Sequence, residues 1–238
     1  MSAGFADGAW QSPRGRGKAD RLISLPGNLL PRRFFEKPPE VVAPRLLGKL
    51  LVHRSREGVL AGRIVEAEAY LGPHNHPPDP AAHSHRGPTA RNRVLFGPAG
   101  RAYVYAIYGR YFCMNISCEK QGLAGCVLLR ALDPVAGLER MAHNRGLAPD
   151  AAPRMLTSGP SRLCQALGIA RPVHNGLDLL DPESPLQVRD DGYPAPQVVI
   201  TPRIGISAAV DWPMRFSVAG HKCVSGPSTL SARRTSLL

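Results

Sequence analysis

Apolar positions along the chain mostly follow a period of two, which is the period of β-strands. Two such runs, KLLVHR and VLAGRIVEAEAYL, flank a short connection that contains Gly58, and this arrangement predicts a β-hairpin. A second hairpin is predicted where Gly109 and Arg110 separate RAYVYAIY from YFCMNISC. The run CVLLRALD is almost continuously apolar and predicts a strand buried on both faces. Shorter strands are expected near residues 187–188, 198–206 and 215–218.

Two helices are predicted from capping signals on either side of these strands. The first lies in residues 38–49, where Gly48 ends it and Pro44 keeps it short, because proline removes an interior hydrogen bond. The second is predicted to begin at Asp133 and Pro134, as N-cap and first helical residue, and to end before Gly146. Its expected buried stripe is Val135, Leu138 and Met141.

The rest of the pattern sets the domain organisation. A third helix is predicted from residues 158–160 to Gly168, with an inward face of Leu163, Ala166 and Leu167. Residues 72–100 predict a long loop, which in a compact domain is functional or disordered. One mixed α+β domain is expected at residues 28–222, because no linker divides two apolar clusters. Residues 1–27 are expected to form a disordered basic tail and residues 223–238 a flexible C-terminal tail.

Composition adds information about partners and compartment. The chain has 30 Lys and Arg against 18 Asp and Glu, a net charge of +12, which favours a polyanionic partner, nucleic acid first. A solvated basic surface is the plainer alternative. No apolar run approaches the roughly 18 residues that span a bilayer, and the N-terminus lacks a signal-peptide core. The five cysteines form no CxxC pair, so we expect reduced thiols in a soluble intracellular protein.

Two carboxylates stand in the strand VLAGRIVEAEAYL. Strand alternation predicts that Glu66, Glu68 and Tyr70 share one face, with the intervening apolar residues on the other. Apolar and aromatic surroundings raise the pKa of a carboxyl group and suit it to general-base catalysis. Paired carboxylates also suit the activation of water for glycosidic bond cleavage. The alternative is that both glutamates face solvent.

Histidines are concentrated in the long loop. His74, His76, His83 and His85, together with Asp79, include a His-x-His spacing that could present imidazoles to one metal ion. A metal-dependent hydrolase that uses His74, His76, His83 and Asp79 is therefore one candidate function. The alternative is a loop that merely collects histidines, since its prolines provide no rigid frame for a metal site.

A tyrosine is predicted at the tip of the second hairpin. Tyr108 precedes Gly109 and is flanked by Arg101 and Arg110. Aromatic residues are common in strands, but strand preference does not explain an exposed tyrosine at a turn between arginines. Such a side chain can wedge between bases and fill the gap left by an extruded nucleotide. A non-catalytic DNA-binding module is a further candidate function on this ground.

Six motifs in order carry a family resemblance. IVEAEAYLGP, AAHSHRG, RNR, YVYAIYGRYFCMNIS, VLLRALDP and SGPSRLCQALGI closely resemble the alkyladenine (3-methyladenine) DNA glycosylases, from about Pro31 to Val218. The resemblance implies a single mixed α+β domain with a curved antiparallel β-sheet core, flanking helices and a protruding β-hairpin. It also implies a monofunctional, monomeric enzyme without metal or cofactor that excises alkylated purines from double-stranded DNA through the minor groove. It would act in the cytoplasm or nucleoid of a bacterium, or in the nucleus of a eukaryote.

The resemblance also implies roles for particular residues. The water-activating glutamate corresponds to Glu68, its arginine partner to Arg130, and a carbonyl that helps hold the water to Ile204. The base is expected between Tyr70, His83 and Tyr105, over Asn115, which disfavours guanine through its exocyclic amine. Tyr108 corresponds to the tyrosine that intercalates, and Arg110 stands where vertebrate members carry methionine. The candidate phosphate contacts are Arg93, Arg101, Arg110 and Arg162.

Overall fold

A nine-stranded antiparallel sheet forms the centre of the part of the chain that the structure, a computed structural model, describes, residues 27–55 and 57–226. The strands are β1 (Asn28–Leu29), β2 (Leu50–Ser55), β3 (Gly58–Tyr70), β4 (Ala102–Ile107), β5 (Tyr111–Cys118), β6 (Gly125–Ala136), β7 (Leu186–Asp190), β8 (Val198–Thr201) and β9 (Arg215–Val218). Their order is β1-β7-β2-β3-β6-β5-β4, with β9 beside β3 and β8 beside β9. Both predicted hairpins, β2–β3 and β4–β5, are confirmed.

The longest strand, β3, pairs with two different strands along one of its edges, and the sheet curves along it. Its first half pairs with β2, and residues 66–68 pair with β9, while β6 runs along the other edge. Register shifts on both sides of Glu66 mark a β-bulge, which bends a strand and increases its twist. Because of this bulge, Ile64 and Ala67 both enter the main core although they are three residues apart, whereas Val65 packs elsewhere. The predicted α+β fold with a curved antiparallel sheet is confirmed.

Six short α-helices flank the sheet in the described residues. They are α1 (Arg32–Phe35), α2 (Pro39–Leu46), α3 (Leu138–Arg145), α4 (Pro153–Thr157), α5 (Pro160–Leu167) and α6 (Arg171–His174). α2 is short as predicted, contains Pro44, and is followed by Gly48 at a φ of 87°. α5 also matches its prediction, because its inward side chains are buried and Gly168 caps it at a φ of 68°. Capping and periodicity were sufficient for these two helices because both signals are local.

The predicted start of the second helix is wrong. Asp133 and Pro134 continue β6 and pair with β3, and helix α3 begins only after Gly137, at a φ of 76°. Pro134 is tolerated in the sheet because it lies at a register shift, where the ladder does not need its missing N–H. Val135 and Leu138 are consequently exposed at 43% and 36%, and of the predicted stripe Met141 alone is buried.

The loop of residues 72–100 is ordered by buried polar side chains. The Asn92 amide donates to the His83 carbonyl at 2.8 Å, and its oxygen accepts the Thr89 N–H at 2.6 Å. The Ser84 hydroxyl donates to the Ala124 carbonyl at 2.9 Å. A short 3-10 helix, Arg93–Phe96, follows. The loop therefore has defined positions for side chains such as His83.

The domain packs beyond residue 222, where the sequence pattern placed its end. Cys223, Val224 and Ser225 are all buried. The predicted tails otherwise fall on residues 1–26 and 227–238, which lie outside the described residues. Within residues 27–55 and 57–226, no helix combines the length and apolar content needed to cross a membrane. The five cysteines are free and buried.

Two buried histidines contact each other between β2 and α6. His53 Nε2 lies 3.1 Å from His174 Nε2, and His53 Nδ1 lies 2.6 Å from the Leu167 carbonyl oxygen. Burial lowers the pKa of both imidazoles, and the neighbouring imidazole lowers that of His174 further. The pair is therefore neutral at physiological pH.

We predict that this pair makes the fold sensitive to acid. In the unfolded chain these histidines bind protons below the ordinary histidine pKa of about 6.5. In the folded chain their lowered pKa opposes protonation, so the free energy of unfolding decreases as the pH drops below that value. Chemical denaturation at pH 7 and pH 5 measures the loss. His53→Gln should make the difference between the two pH values smaller, whereas His143→Gln, at an exposed position, should leave it unchanged. An equal difference in wild type and His53→Gln would contradict the prediction.

Candidate active site

The Glu68 carboxylate lies in the C-terminal half of β3 and is fully buried. Its Oε1 accepts a hydrogen bond from the Ile204 backbone N–H at 2.8 Å and forms an ion pair with Arg130 Nη1 at 3.2 Å. Its Oε2 accepts one from the Tyr70 hydroxyl at 3.0 Å. A carboxylate offers about four lone-pair sites, so Oε2 keeps one free acceptor position.

Glu66 is also fully buried and receives four hydrogen bonds. Arg130 Nε, Arg215 Nε and the Ser225 hydroxyl donate to Oε1 at 2.9, 2.7 and 2.9 Å. The Ser225 N–H donates to Oε2 at 2.6 Å. Because both glutamates are buried, the solvent-facing alternative is wrong. The two carboxylates nevertheless differ, since all three partners of Glu68 line the cavity described next, whereas Arg130 is the single partner of Glu66 that does.

Arg130 joins the two carboxylates. Its guanidinium contacts Glu66 through Nε and Glu68 through Nη1. Burial acts to lower the pKa of Arg130, but the attraction of Glu68 and Glu66 outweighs it and raises that pKa. Burial and the nearby Glu68 charge raise the pKa of Tyr70 far above its usual value, so the Tyr70 hydroxyl stays protonated and donates.

A cavity of about 390 Å³ opens beside Glu68. This volume is within the roughly 300–1,000 Å³ of small-molecule pockets. The two hydrogen-bond donors to Glu68 and its ion-pair partner Arg130 all line it, so the carboxylate lies directly behind the cavity wall. The wall brings together seven residues for which the sequence predicted functional roles: Tyr70, His83, Tyr105, Tyr108, Asn115, Arg130 and Ile204.

Aromatic side chains form one side of this cavity. The His83 and Tyr105 ring centroids are 4.5 Å apart at an interplanar angle of 80°, and Tyr103 stacks on Tyr105 at 5.4 Å. His83 Nδ1 lies 3.1 Å from the Tyr103 hydroxyl. Burial, and then the Arg91 charge, lower the pKa of His83, which keeps its imidazole neutral. This side of the cavity is therefore formed by aromatic rings that carry no charge.

Tyr70 is supported from behind by a buried ion pair. The Arg203 guanidinium lies 4.5 Å from the Tyr70 ring centroid and donates to both Asp79 oxygens, at 2.5 and 3.0 Å. Asp79 also accepts the N–H groups of Leu71 and Ala81, at 3.2 and 3.0 Å. Asp79, a candidate metal ligand in the sequence, is thus engaged in holding the wall of the cavity.

The histidines of the candidate metal site have separate partners. His74 pairs with Glu119 at 3.0 Å, and His83 faces Tyr103. Among the described residues, no group of three or more His, Cys, Asp or Glu side chains is placed to share a metal ion. The metal-dependent hydrolase alternative therefore has no assembled site in this part of the chain.

The tip of the β4–β5 hairpin carries Tyr108, which is 89% exposed and also borders the cavity. Its φ is 49°, in the left-handed region that non-glycine residues rarely occupy, and Gly109 follows at 73°. Neither packing nor backbone preference rewards a tyrosine there. Residues that are costly to the fold in this way cluster at functional sites.

The candidate phosphate-binding arginines are not equivalent. Arg93, Arg110 and Arg162 are exposed, and Arg110 stacks on the Tyr111 ring at 4.8 Å. Arg101 is half-buried, donates to the Gly176 carbonyl at 3.1 Å and pairs with Asp178 at 3.5 Å. Its guanidinium therefore already has protein partners.

Four structural supports of the site were missed in the sequence: Arg203, Arg215, Ser225 and the pairing role of Asp79. Arg215 lies in the short run RFSV of β9, and an arginine inside an otherwise strand-like run indicates a buried partner. Ser225 offered no such signal, because it lies in a polar segment assigned to the C-terminal tail.

Comparison with known proteins matches residues 33–222 to the family described as methylpurine-DNA glycosylase. A relative from Koribacter versatilis is 54% identical over 197 residues, covering 83% of this chain and 93% of the relative. One from Methanoculleus marisnigri is 50% identical over 82% of this chain and 98% of its own length. One from Burkholderia lata is 45% identical over 89% and 98%. Each carries a provisional curated name of 3-methyladenine DNA glycosylase.

We predict that Glu66→Gln destabilises the domain by about 3–5 kcal/mol, the usual effect of removing one partner of a buried ion pair. The substitution leaves Arg215 buried without its counter-charge. Urea denaturation of both proteins measures the difference. Glu57→Gln, which removes an exposed ion pair with Arg140, is the matched control and should cost about 1 kcal/mol or less. Equal effects of the two substitutions would contradict a structural role for Glu66.

Proposed function

This chain belongs to the methylpurine-DNA glycosylase family, and on that premise we propose that it flips an alkylated purine out of duplex DNA and hydrolyses its N-glycosidic bond with water activated by Glu68. As a member of the family it is a DNA glycosylase, a hydrolase of N-glycosyl bonds. One observation carries the mechanistic proposal. Glu68 is held rigidly by Ile204, Arg130 and Tyr70, all on the cavity wall, and keeps one free acceptor position on Oε2.

The free acceptor position suits a general base. Glu68 Oε2 accepts a proton from water while the water oxygen attacks the anomeric carbon of the deoxyribose, and the purine leaves with the bonding electrons. The Ile204 carbonyl, 3.4 Å from Arg130 Nη1, would accept the second hydrogen of this water. The negative charge of Glu68 also stabilises the positive charge that develops on the sugar. Arg130 provides the counter-charge that allows the carboxylate to be buried before the substrate arrives.

The aromatic side of the cavity suits a cationic base. Alkylation at N3 or N7 leaves a purine positively charged, so its glycosidic bond is already weak. Tyr70, His83 and Tyr105 line the cavity, and a cation over an aromatic face gains about 0.5–2 kcal/mol. His83 in its neutral form does not repel this charge. Asn115 at the floor would select against guanine through its exocyclic amine.

The cavity supports hydrolysis by water rather than an imine-forming lyase. Its described lining includes no lysine. Lys49, one of two lysines near the motifs, pairs with Asp190 at 2.6 Å, and Lys120 is exposed outside the cavity. A monofunctional enzyme that leaves an intact abasic site is therefore the form of the proposal.

Binding to DNA is assigned to the hairpin tip and the exposed arginines. The protein would bind DNA as a monomer. The Tyr108 side chain would enter from the minor groove and fill the gap left by the flipped nucleotide. Arg93, Arg110 and Arg162 would contact phosphates, which gives affinity without sequence preference. Arg101 takes part only indirectly, because Asp178 and Gly176 hold it. A non-catalytic binding module, the remaining alternative, does not need a buried carboxylate behind a cavity.

We predict that Glu68→Gln abolishes excision but not DNA binding. Loss of a general base lowers the rate about 10²–10⁴-fold, and the amide still fills the same space. Single-turnover release from a duplex with one 7-methylguanine, followed by alkaline cleavage of the abasic site, measures the rate. Electrophoretic mobility shift measures affinity. Glu139→Gln, at an exposed position on α3, controls for loss of one negative charge and should excise normally. Wild-type excision by Glu68→Gln would refute the mechanism.

We predict that Tyr108→Ser lowers excision at least about tenfold with no change in melting temperature. An 89% exposed side chain contributes little to folding, whereas an unstacked base step costs a few kcal/mol that the wedge offsets. Fluorescence of 2-aminopurine beside the lesion reports flipping, and thermal denaturation reports stability. Tyr193→Ser removes another exposed tyrosine, outside the cavity, as control. Normal flipping with a large loss of melting temperature would assign Tyr108 to packing instead.

A further inference from the structure

A buried thiol contacts the amide at the floor of the cavity. Cys126 on β6 and Asn115 on the neighbouring strand β5 both line the cavity, and each is only 4% exposed. The Cys126 Sγ lies 3.7 Å from Asn115 Oδ1, within hydrogen-bonding distance for sulfur. The mechanism proposed above does not use Cys126.

This thiol can only be the donor in the contact. Burial raises the pKa of Cys126 far above its usual value, and the negative charge of Asp79 raises it further. Cys126 is therefore a protonated thiol, and its S–H points at an atom that must accept. The amide oxygen of Asn115 accepts hydrogen bonds and the amide nitrogen does not, so the thiol selects one of the two flip states of this amide.

The selected flip state decides what the cavity floor offers to a base. With Oδ1 engaged by Cys126, the Asn115 NH2 group is the part of the amide left to face the cavity. In the described residues Cys126 is the single side-chain partner of this amide. An NH2 group at the floor repels another N–H donor and donates a hydrogen bond to a ring nitrogen, whereas a carbonyl oxygen would attract the exocyclic amine of guanine.

We propose that Cys126 is a positioning residue that sets the purine preference of the enzyme by holding the Asn115 amide with its NH2 group toward the base. This inference rests on the proposed function, since it requires a purine in the cavity. It adds to that function a residue which acts through Asn115 and touches neither the reacting bond nor the water.

The test compares two substrates that differ only by the exocyclic amine, 7-methylhypoxanthine and 7-methylguanine, each in the same duplex. The readout is the ratio of their single-turnover excision rates. Cys126→Ala should lower the preference for 7-methylhypoxanthine by a factor of about 2 to 10, the range that one neutral hydrogen bond provides. Cys126→Ser keeps a donor at the same position and should return the ratio toward the wild-type value.

Two controls separate positioning from packing. Cys164→Ala removes a sulfur atom from another fully buried cysteine, on α5 and outside the cavity, and should leave the ratio unchanged. In a double-mutant cycle, Cys126→Ala should have no further effect on the ratio once Asn115 is alanine.

Three results would overturn the inference: equal slowing of both substrates by Cys126→Ala, a Cys126→Ser ratio that matches Cys126→Ala, or a full Cys126→Ala effect in the Asn115→Ala background. If the wild-type protein released neither base, the proposed function itself would fail and the inference with it. If it released them and the ratio ignored Cys126, only the inference would fail.

Discussion

Two glutamates and two arginines, all buried, meet beside the central strand β3, and the rest of the structure is arranged to keep their charges balanced. Glu66 and Glu68 face Arg130 and Arg215, so the cluster carries no net charge. Burying one unpaired charge costs several kcal/mol, and balance therefore constrains every element that contributes to the cluster. β3 supplies the carboxylates, β6 and β9 supply one arginine each, and the segment at Ser225 closes the arrangement with two further hydrogen bonds.

Glu66 and Glu68 have identical side chains, but their hydrogen-bond partners differ in number and in position relative to the cavity. Glu66 receives four hydrogen bonds, and of its donors Arg130 alone borders the cavity. Glu68 receives two hydrogen bonds and one ion pair, and all three of these partners line the cavity. The general base that we propose has to be fixed in orientation and still able to accept a proton. Arg130, held by Glu66, fixes Glu68, and Glu68 Oε2 has a single hydrogen-bond donor.

The site combines a rigid wall with a hairpin tip whose conformation is locally unfavourable. Asp79 and Arg203 hold Tyr70 from behind, and Asn92 fixes the loop that carries His83. These supports are buried hydrogen bonds, which keep the wall in one arrangement. Tyr108 has the opposite character, since it is exposed and has a positive φ. Residues that violate local structural preferences are expected at functional sites. Here the violation, an exposed tyrosine with a positive φ, lies at the hairpin tip that would enter DNA.

The sequence by itself determined the elements whose signals are local. Period-two alternation predicted both hairpins and the shared face of Glu66 and Glu68, and capping residues predicted α5. It failed at Asp133 and Pro134, where a local helix signal lost to pairing with β3. Only the tertiary structure decided how Glu66 is used, because its donors come from residues 130, 215 and 225. Contacts across such sequence separations leave no periodic trace, since they depend on how the bulged strand β3 brings β6, β9 and the chain end together.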